Sequence, residues 1–210
     1  MTVGQHRAWD RHWARLGREI PALPAGELDL AGWFGRHAPT LLEIGSGMGE
    51  TTAQLAAVAT EVNYLAVEVY QPGLAQLLMR AEELGLGNLR LLRGDAVDLL
   101  TEHIPPGTLS EVRIYFPDPW PKKKHHKRRL IQPKFVALVA SRLADGGRLH
   151  LATDWEHYAE QMREVCTAEP ALRNAYPDWA PRPDWRPVTK FESRAREEGR
   201  VSRDLIFQRR

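Results

Sequence analysis

The chain has 210 residues, 43% of them hydrophobic and 27% charged, with a formal net charge of +2. That length can bury a real core within one ordinary domain, the composition is that of a globular protein, and no apolar run approaches the ~18 residues of a membrane-spanning helix. The near-neutral total excludes a generally basic binder, yet cations gather at 122–129 and again at 194–210, so the positive charge is directed to particular surfaces.

Residues 1–37 mix short amphipathic helix and loop, with Trp9, Trp13, Leu16, Ile20, Trp33 and Phe34 as apolar anchors. This segment is expected to cap a single domain over 38–210, with phosphate contact as the other use for Arg7, Arg11, Arg15 and Arg18. From Thr40 the pattern is regular. Leu41–Ile44 reads as a strand, Gly45-Ser46-Gly47-Met48-Gly49 as a turn and Glu50–Ala59 as a helix; Asn63–Val69, Gln71–Leu84 and Asn88–Arg93 continue as strand, helix and strand, ending at Gly94-Asp95. This βαβαβ order predicts an α/β fold with a parallel sheet and right-handed crossovers.

In the next strand Val112, Ile114 and Phe116 alternate with Arg113 and Tyr115 until Pro117, which releases Asp118-Pro119-Trp120-Pro121 into a loop. Proline disfavours helix in the residue before it, so Asp118 and Trp120 are expected in extended conformations with their side chains outward. After the basic run come a helix over about 132–143, a turn at Asp145-Gly146-Gly147, a strand over Arg148–Thr153, and a helix through Tyr158 and Met162. The only cysteine, Cys166, lies in that helix, where packing accounts for it and an intramolecular disulfide is impossible. With no apolar signal core at the N-terminus, the expected location is the cytoplasm. Residues 170–187, rich in proline and tryptophan, read as an ordered excursion, and Val201–Gln208 as the last strand.

Open α/β sheets bind ligands at the carboxyl ends of their strands, which is where the chemistry-bearing residues fall. Glycine spacing at Gly45, Gly47 and Gly49 brings backbone close to a ligand at a helix N-terminus, but several cofactor folds share it. Acids discriminate: Glu43 precedes the turn, Glu68 ends the second strand and Asp95 follows the third. A pyrophosphate disfavours carboxylates there, whereas a cationic sulfonium with an amino group favours them, so S-adenosyl-L-methionine fits better than NAD. In that arrangement Glu68 accepts from the ribose hydroxyls, Asp95 from the adenine amino group, and Glu43 orients the methionine end or the turn.

The second site signal is Asp118 and Trp120 between prolines, followed at once by Lys122, Lys123, Lys124, Lys127, Arg128 and Arg129. A solvated basic loop has no need of a stiff acidic and aromatic neighbour, so the pair points to a polyanion presented to a reactive pocket. Trp120 is open to two readings, stacking on a base or packing in the core. His125 and His126 have no metal-like spacing with a cysteine, and no metal is assigned.

Taken in order, Glu43-Ile44-Gly45-Ser46-Gly47-Met48-Gly49, Ala66-Val67-Glu68, Gly94-Asp95-Ala96, Phe116-Pro117-Asp118-Pro119-Trp120-Pro121-Lys122-Lys123-Lys124-His125, Thr153-Asp154-Trp155 and Thr189-Lys190-Phe191-Glu192-Ser193-Arg194 resemble the motif series of the bacterial tRNA (guanine-N7)-methyltransferases. The resemblance covers about 40–200; its glycine turn is widely shared, while the Pro-Asp-Pro-Trp loop and the Thr-Lys-Phe-Glu motif are particular to the family. It implies a Rossmann-like class I S-adenosylmethionine-dependent methyltransferase fold with a mostly parallel seven-stranded sheet and helices on both faces. It also implies Glu43, Glu68, Asp95 and Asp118 on the cofactor side and Asp118 as the catalytic residue. Lys122, Asp154, Thr189, Lys190, Phe191 and Glu192 would contact substrate, and the N-terminus is shorter than the family's usual basic leader. The implied partner is tRNA, methylated in its variable loop to 7-methylguanosine; the sequence itself requires no protein partner, which leaves a monomer or homodimer.

The chemistry agrees with that implication. Guanine N7 carries an in-plane lone pair, so transfer needs alignment and no general base, and proximity can supply roughly 7–11 kcal/mol of the barrier. Asp118 would stabilise the positive charge that develops on the purine, while Asp154 and Glu192 would accept from the guanine N1–H and amino edge. Asp154 has a second reading as the N-cap of the following helix. An exocyclic-amine methyltransferase is the neighbouring alternative, with Trp120 standing where such loops carry a second proline, and a non-catalytic RNA-binding protein is the alternative from another class.

Overall fold

The computed structural model describes residues 1–210 and divides into two compact units, Met1–Pro105 and Pro106–Arg210. In the first unit, α1 (Val3–Leu16) begins with a capping box: Thr2 Oγ1 accepts the Gln5 N–H and Gln5 Oε1 accepts the Thr2 N–H. The helix packs on α4 (Gln71–Glu83), where Ala8 and Leu16 share a core with Leu74, Leu77, Leu78 and Ala81, flanked by Trp9 and Trp13 stacked at 3.9 Å. So the arginine-rich start of the chain lies on the apolar face of α4.

The strands of this unit are β1 (Gly17–Glu19), β2 (Thr40–Ile44), β3 (Asn63–Glu68) and β4 (Leu89–Arg93), in the order β1-β4-β3-β2 and all parallel. Every residue of β2 is buried, as are the first five of β3, which is why their sequences run apolar without alternation. Leu42, Leu65 and Leu89 have no exposed surface, each contributing about 1.5–3 kcal/mol through burial. Three more helices complete the unit: α2 (Leu30–Phe34), α3 (Glu50–Val58) and α5 (Ala96–Glu102).

The second unit holds β5 (Leu109–Tyr115), α6 (Pro133–Arg142), β6 (Leu143–Thr153), α7 (Glu156–Ala168), β7 (Leu172–Asn174), α8 (Lys190–Glu197) and β8 (Arg203–Arg209). Here β5 and β6 are parallel, β8 runs antiparallel to β6, and β7 antiparallel to β8. Between Leu109↔Leu143 and Glu111↔Arg148 the register jumps, so the expected turn at 145–147 is a bulge inside β6. Cys166 is fully buried in α7, and burial pushes its thiol pKa up to about 12.

There are eight strands, one more than the seven expected. The periodicity places six of them; β1 and β7, three residues each, are too short to show any alternation. Residues 170–187 are ordered as expected, and by cation–aromatic contacts: Arg163 and Arg203 lie 4.7 and 5.3 Å from the Trp179 ring, and Arg113 lies 4.5 Å from Trp185.

Candidate functional site

In the first unit the carboxyl ends of β2, β3 and β4 bring the expected cofactor residues to one edge. Gly45, Gly47 and Gly49 all have left-handed backbone, at φ of +83°, +55° and +71°, a turn that side-chain-bearing residues enter only with strain. The turn rests on α4: a Cβ at Gly73 would stand 2.1 Å from the Gly47 carbonyl oxygen, and one at Gly49 2.5 Å from Leu77 Cβ. On its other side it is open, since a Cβ at Gly45 or Gly47 would meet nothing within 4 Å. Gly73, not singled out in the sequence, is thus the floor of the turn, and its signal is the Pro72-Gly73 start of a helix.

Glu68 is the organiser of this edge. Its Oε2 accepts the Gly47 N–H at 2.8 Å, and its Oε1 accepts the N–H groups of Val69 and Tyr70 at 2.7 and 2.9 Å. A carboxylate offers about four acceptor positions, so one on Oε2 remains for a ligand hydroxyl. Asp95 is exposed and caps α5 by accepting the Val97 N–H at 2.7 Å. Glu43 is 4% exposed within β2, opposite Ala66. An open left-handed glycine turn edged by carboxylates that can accept from hydroxyl and amino groups suits S-adenosyl-L-methionine.

The second unit presents the loop after β5. Phe116 and Trp120 are its non-glycine residues with positive φ, +51° and +41°. The expectation of extended backbone at Trp120 is therefore corrected: tertiary contacts override the preference set by Pro121. Such conformations cost about 1–3 kcal/mol each and gather at functional sites, and here they bracket Pro117-Asp118-Pro119. Asp118, between them, is exposed. Trp120 is half-buried and not packed in the core; its ring meets His125 edge-on at 5.9 Å and carries the Arg128 guanidinium at 5.0 Å.

The basic run folds as a short 3-10 helix over Lys123–Arg128 with Lys122 as its N-cap. Lys122, Lys123, Lys124, Lys127 and Arg128 are exposed and free to meet phosphate, but Arg129, expected among them, is corrected: it is 2% exposed. Its Nε donates to the Pro119 carbonyl at 2.8 Å, its Nη1 to Gln161 Oε1 at 2.5 Å and to His157 Nδ1 at 3.2 Å, and its guanidinium lies 4.7 Å from the Tyr158 ring. Arg129 therefore braces the backbone beside Asp118, and burial pulls its pKa below that of an ordinary arginine.

Asp154 follows β6, but the N-cap of α7 is Trp155, so the capping reading does not hold. Its Oδ2 accepts from Arg200 Nε at 2.8 Å. Thr189 caps α8 by accepting the Glu192 N–H at 3.0 Å, which leaves Lys190 and Phe191 exposed, the latter 65%, with its ring 6.4 Å from Phe116 and nearly parallel to it. Glu192 is corrected: at 1% exposure its oxygens accept from Arg182 at 2.6 Å, Arg186 at 2.9 Å and Arg196 at 2.9 Å, so it is not available to a guanine edge. Burial raises its pKa, yet Arg182 and Arg186 outweigh that and hold it below the ordinary carboxylate value.

A family model described as "Putative methyltransferase" matches residues 37–205. The tRNA (guanine-N(7)-)-methyltransferase of Bordetella parapertussis is 57% identical over 190 residues, covering 90% of this chain and 74% of that protein. Those of Streptomyces coelicolor and Alkalilimnicola ehrlichii are 51% and 50% identical over all of this chain and 77% and 89% of theirs. Among solved structures, the 16S rRNA methyltransferase KamB aligns with a TM-score of 0.62 at 14% identity, over 83% of this chain and 89% of its own. TrmN from Thermus thermophilus aligns with a TM-score of 0.58 at 15% identity, over 82% of this chain and 44% of that one. At such identities these structures speak to the fold, which is that of the methyltransferases.

Proposed function

We propose, from the premise that this chain belongs to the tRNA (guanine-N(7)-)-methyltransferase family, that the guanine it modifies lies in the variable loop of tRNA. The protein is an enzyme that uses S-adenosyl-L-methionine to form 7-methylguanosine in tRNA. When bound, that cofactor supplies a methyl group carried on a sulfonium cation. Gly45, Gly47 and Gly49 let backbone approach it; Glu68 accepts from its ribose, Asp95 from its adenine amino group, and Glu43 holds the methionine end.

The observation that carries the reading is the strained, braced loop holding Asp118 exposed next to a 3-10 helix of exposed cations. Guanine N7 has a free in-plane lone pair, so no residue has to remove a proton. Asp118, which also belongs to the cofactor side, balances the charge that grows on the purine, since a fixed carboxylate costs no reorganisation at that moment. Lys122, Asp154, Thr189, Lys190 and Phe191 hold the nucleotide, and Lys123, Lys124, Lys127 and Arg128 the phosphates around it. The enzyme works in the cytoplasm as a monomer or homodimer; of the expected 1–37 cap, α1 covers α4, while Gly17–Glu19 belong to the sheet as β1, and no helix is long and apolar enough to cross a membrane.

Incubation with labelled cofactor and bulk tRNA yields label in 7-methylguanosine on nucleoside analysis; label in another nucleoside, or none, refutes the reading. For the basic helix, the Lys123→Ala, Lys124→Ala double variant lowers the slope of log K for tRNA against log salt by roughly 0.7–0.9 per lost contact, with cofactor affinity unchanged. Equal slopes and affinities across a salt series would mean that the helix is only a solvated face.

A further inference from the structure

A buried chain of polar contacts crosses the second unit and is used by neither the transfer chemistry nor the phosphate contacts. The Tyr115 hydroxyl, at the end of β5, donates to His150 Nδ1 at 3.0 Å, and His150 Nε2 donates to Asp204 Oδ1 at 2.8 Å. Burial holds the His150 pKa below that of an ordinary histidine despite the Asp204 carboxylate, so the neutral tautomer with its proton on Nε2 satisfies both contacts. Arg186 then donates to both oxygens of Asp204, at 3.1 and 2.9 Å, and through Nη1 to Glu192 at 2.9 Å. His150, Asp204, Arg186 and Glu192 are each 1% exposed.

Stability alone is a poor account of this arrangement. Buried ion pairs recover little more than their desolvation cost, and apolar residues of similar volume commonly do as well. What a guanidinium provides that apolar groups do not is a rigid planar fork, able to set two carboxylates at one fixed separation. Those carboxylates come from β8 and α8, and the same guanidinium lies 5.4 Å from the Tyr115 ring and 5.7 Å from the Phe116 ring. One side chain therefore touches the end of β5, the last strand and the helix that begins with Lys190. Arg182 reinforces it by donating to both oxygens of Glu192 and to the Arg186 carbonyl.

We propose that Arg186 is a positioning residue for methyl transfer: through Glu192 and Asp204 it fixes Thr189, Lys190 and Phe191 against Phe116, two residues before Asp118, so that the nucleotide meets a preset surface. This rests on the reading that Thr189–Phe191 contact the nucleotide. Glu192 then belongs to the Thr-Lys-Phe-Glu motif as its anchor, and Phe191 as its contact.

Arg186→Lys keeps a cation between the carboxylates and removes the fork. The expected result, at a temperature well below the melting transition, is a fall in kcat/KM for tRNA of about ten- to a hundredfold with cofactor Kd unchanged. Phe191→Ala, exposed and outside the chain of contacts, lowers kcat/KM for tRNA without moving the melting transition. If Arg186→Lys lowers the melting transition and leaves kcat/KM at the wild-type value, the chain of contacts only stabilises the fold and the proposal is overturned. If instead Phe191→Ala is silent while Arg186→Lys is impaired, the underlying reading of Thr189–Phe191 is what fails. Should Arg186→Lys not fold, Arg182→Gln loosens Glu192 from its half-buried side and is read against the same two outcomes.

Discussion

Asp118→Ala is expected to lower kcat by about 10²–10³-fold, the cost of removing one preorganised charge from a transition state, with an unchanged melting transition. The two halves of that expectation have separate causes. Asp118 is exposed and sits on a loop whose shape is kept by other groups: Arg129 bonded to the Pro119 carbonyl, and the Phe116 N–H donating to the Ala152 carbonyl at 2.7 Å. Deleting the carboxylate removes no packing, so stability stays. The strain at Phe116 and Trp120, about 1–3 kcal/mol each, is then spent on holding a group the fold does not need. Asp118→Asn separates charge from shape, because it keeps an acceptor and loses the negative charge; if charge is what matters, it resembles Asp118→Ala. Wild-type turnover in either variant would sink the assignment.

Glu68→Ala is expected to weaken S-adenosyl-L-methionine binding by at least a hundredfold, about 2.7 kcal/mol, and to lower the melting temperature as well. One carboxylate accepts the N–H groups of Gly47, Val69 and Tyr70, and a charge-assisted hydrogen bond contributes about 1.5–3 kcal/mol. Alanine strands all three donors, and the Gly47 N–H belongs to the turn that approaches the cofactor. The loss thus combines a ribose acceptor with the shape of the site. Glu68→Gln keeps one oxygen and recovers part of the fold but little of the affinity. Calorimetry showing unaltered affinity in Glu68→Ala would remove this residue from the site.

The parts of the molecule that were legible in the sequence are those where residue type settles environment. Leu41-Leu42 and Leu65-Ala66-Val67 can only be buried strands between turn residues, and three glycines two apart after such a strand read as a close backbone approach. Charged residues are different, because the same guanidinium serves solvent or interior. Arg129 reads as one more cation after Arg128, yet the 3-10 turn closes with the Arg129 N–H donating to the His126 carbonyl at 3.1 Å, and its own side chain turns under Pro119. Glu192 reads as an acceptor for guanine, although Thr189-x-x-Glu192 before a charged helix is also a capping pattern, which would have warned of a structural duty. The polar chain from Tyr115 to Glu192 joins residues up to 89 apart in sequence on four elements, and no local period announces it.

The fully buried Cys166, with a thiol pKa of about 12, has a practical use. Thiolate is the form that reacts with maleimides and related labels, and at neutral pH this side chain supplies almost none and offers no access. The natural chain is therefore already silent toward cysteine-directed chemistry. A cysteine introduced at Lys123 or Lys127, on the exposed basic helix, becomes the sole addressable thiol, and a fluorophore or spin label attached there reports the arrival of tRNA without any background from the fold.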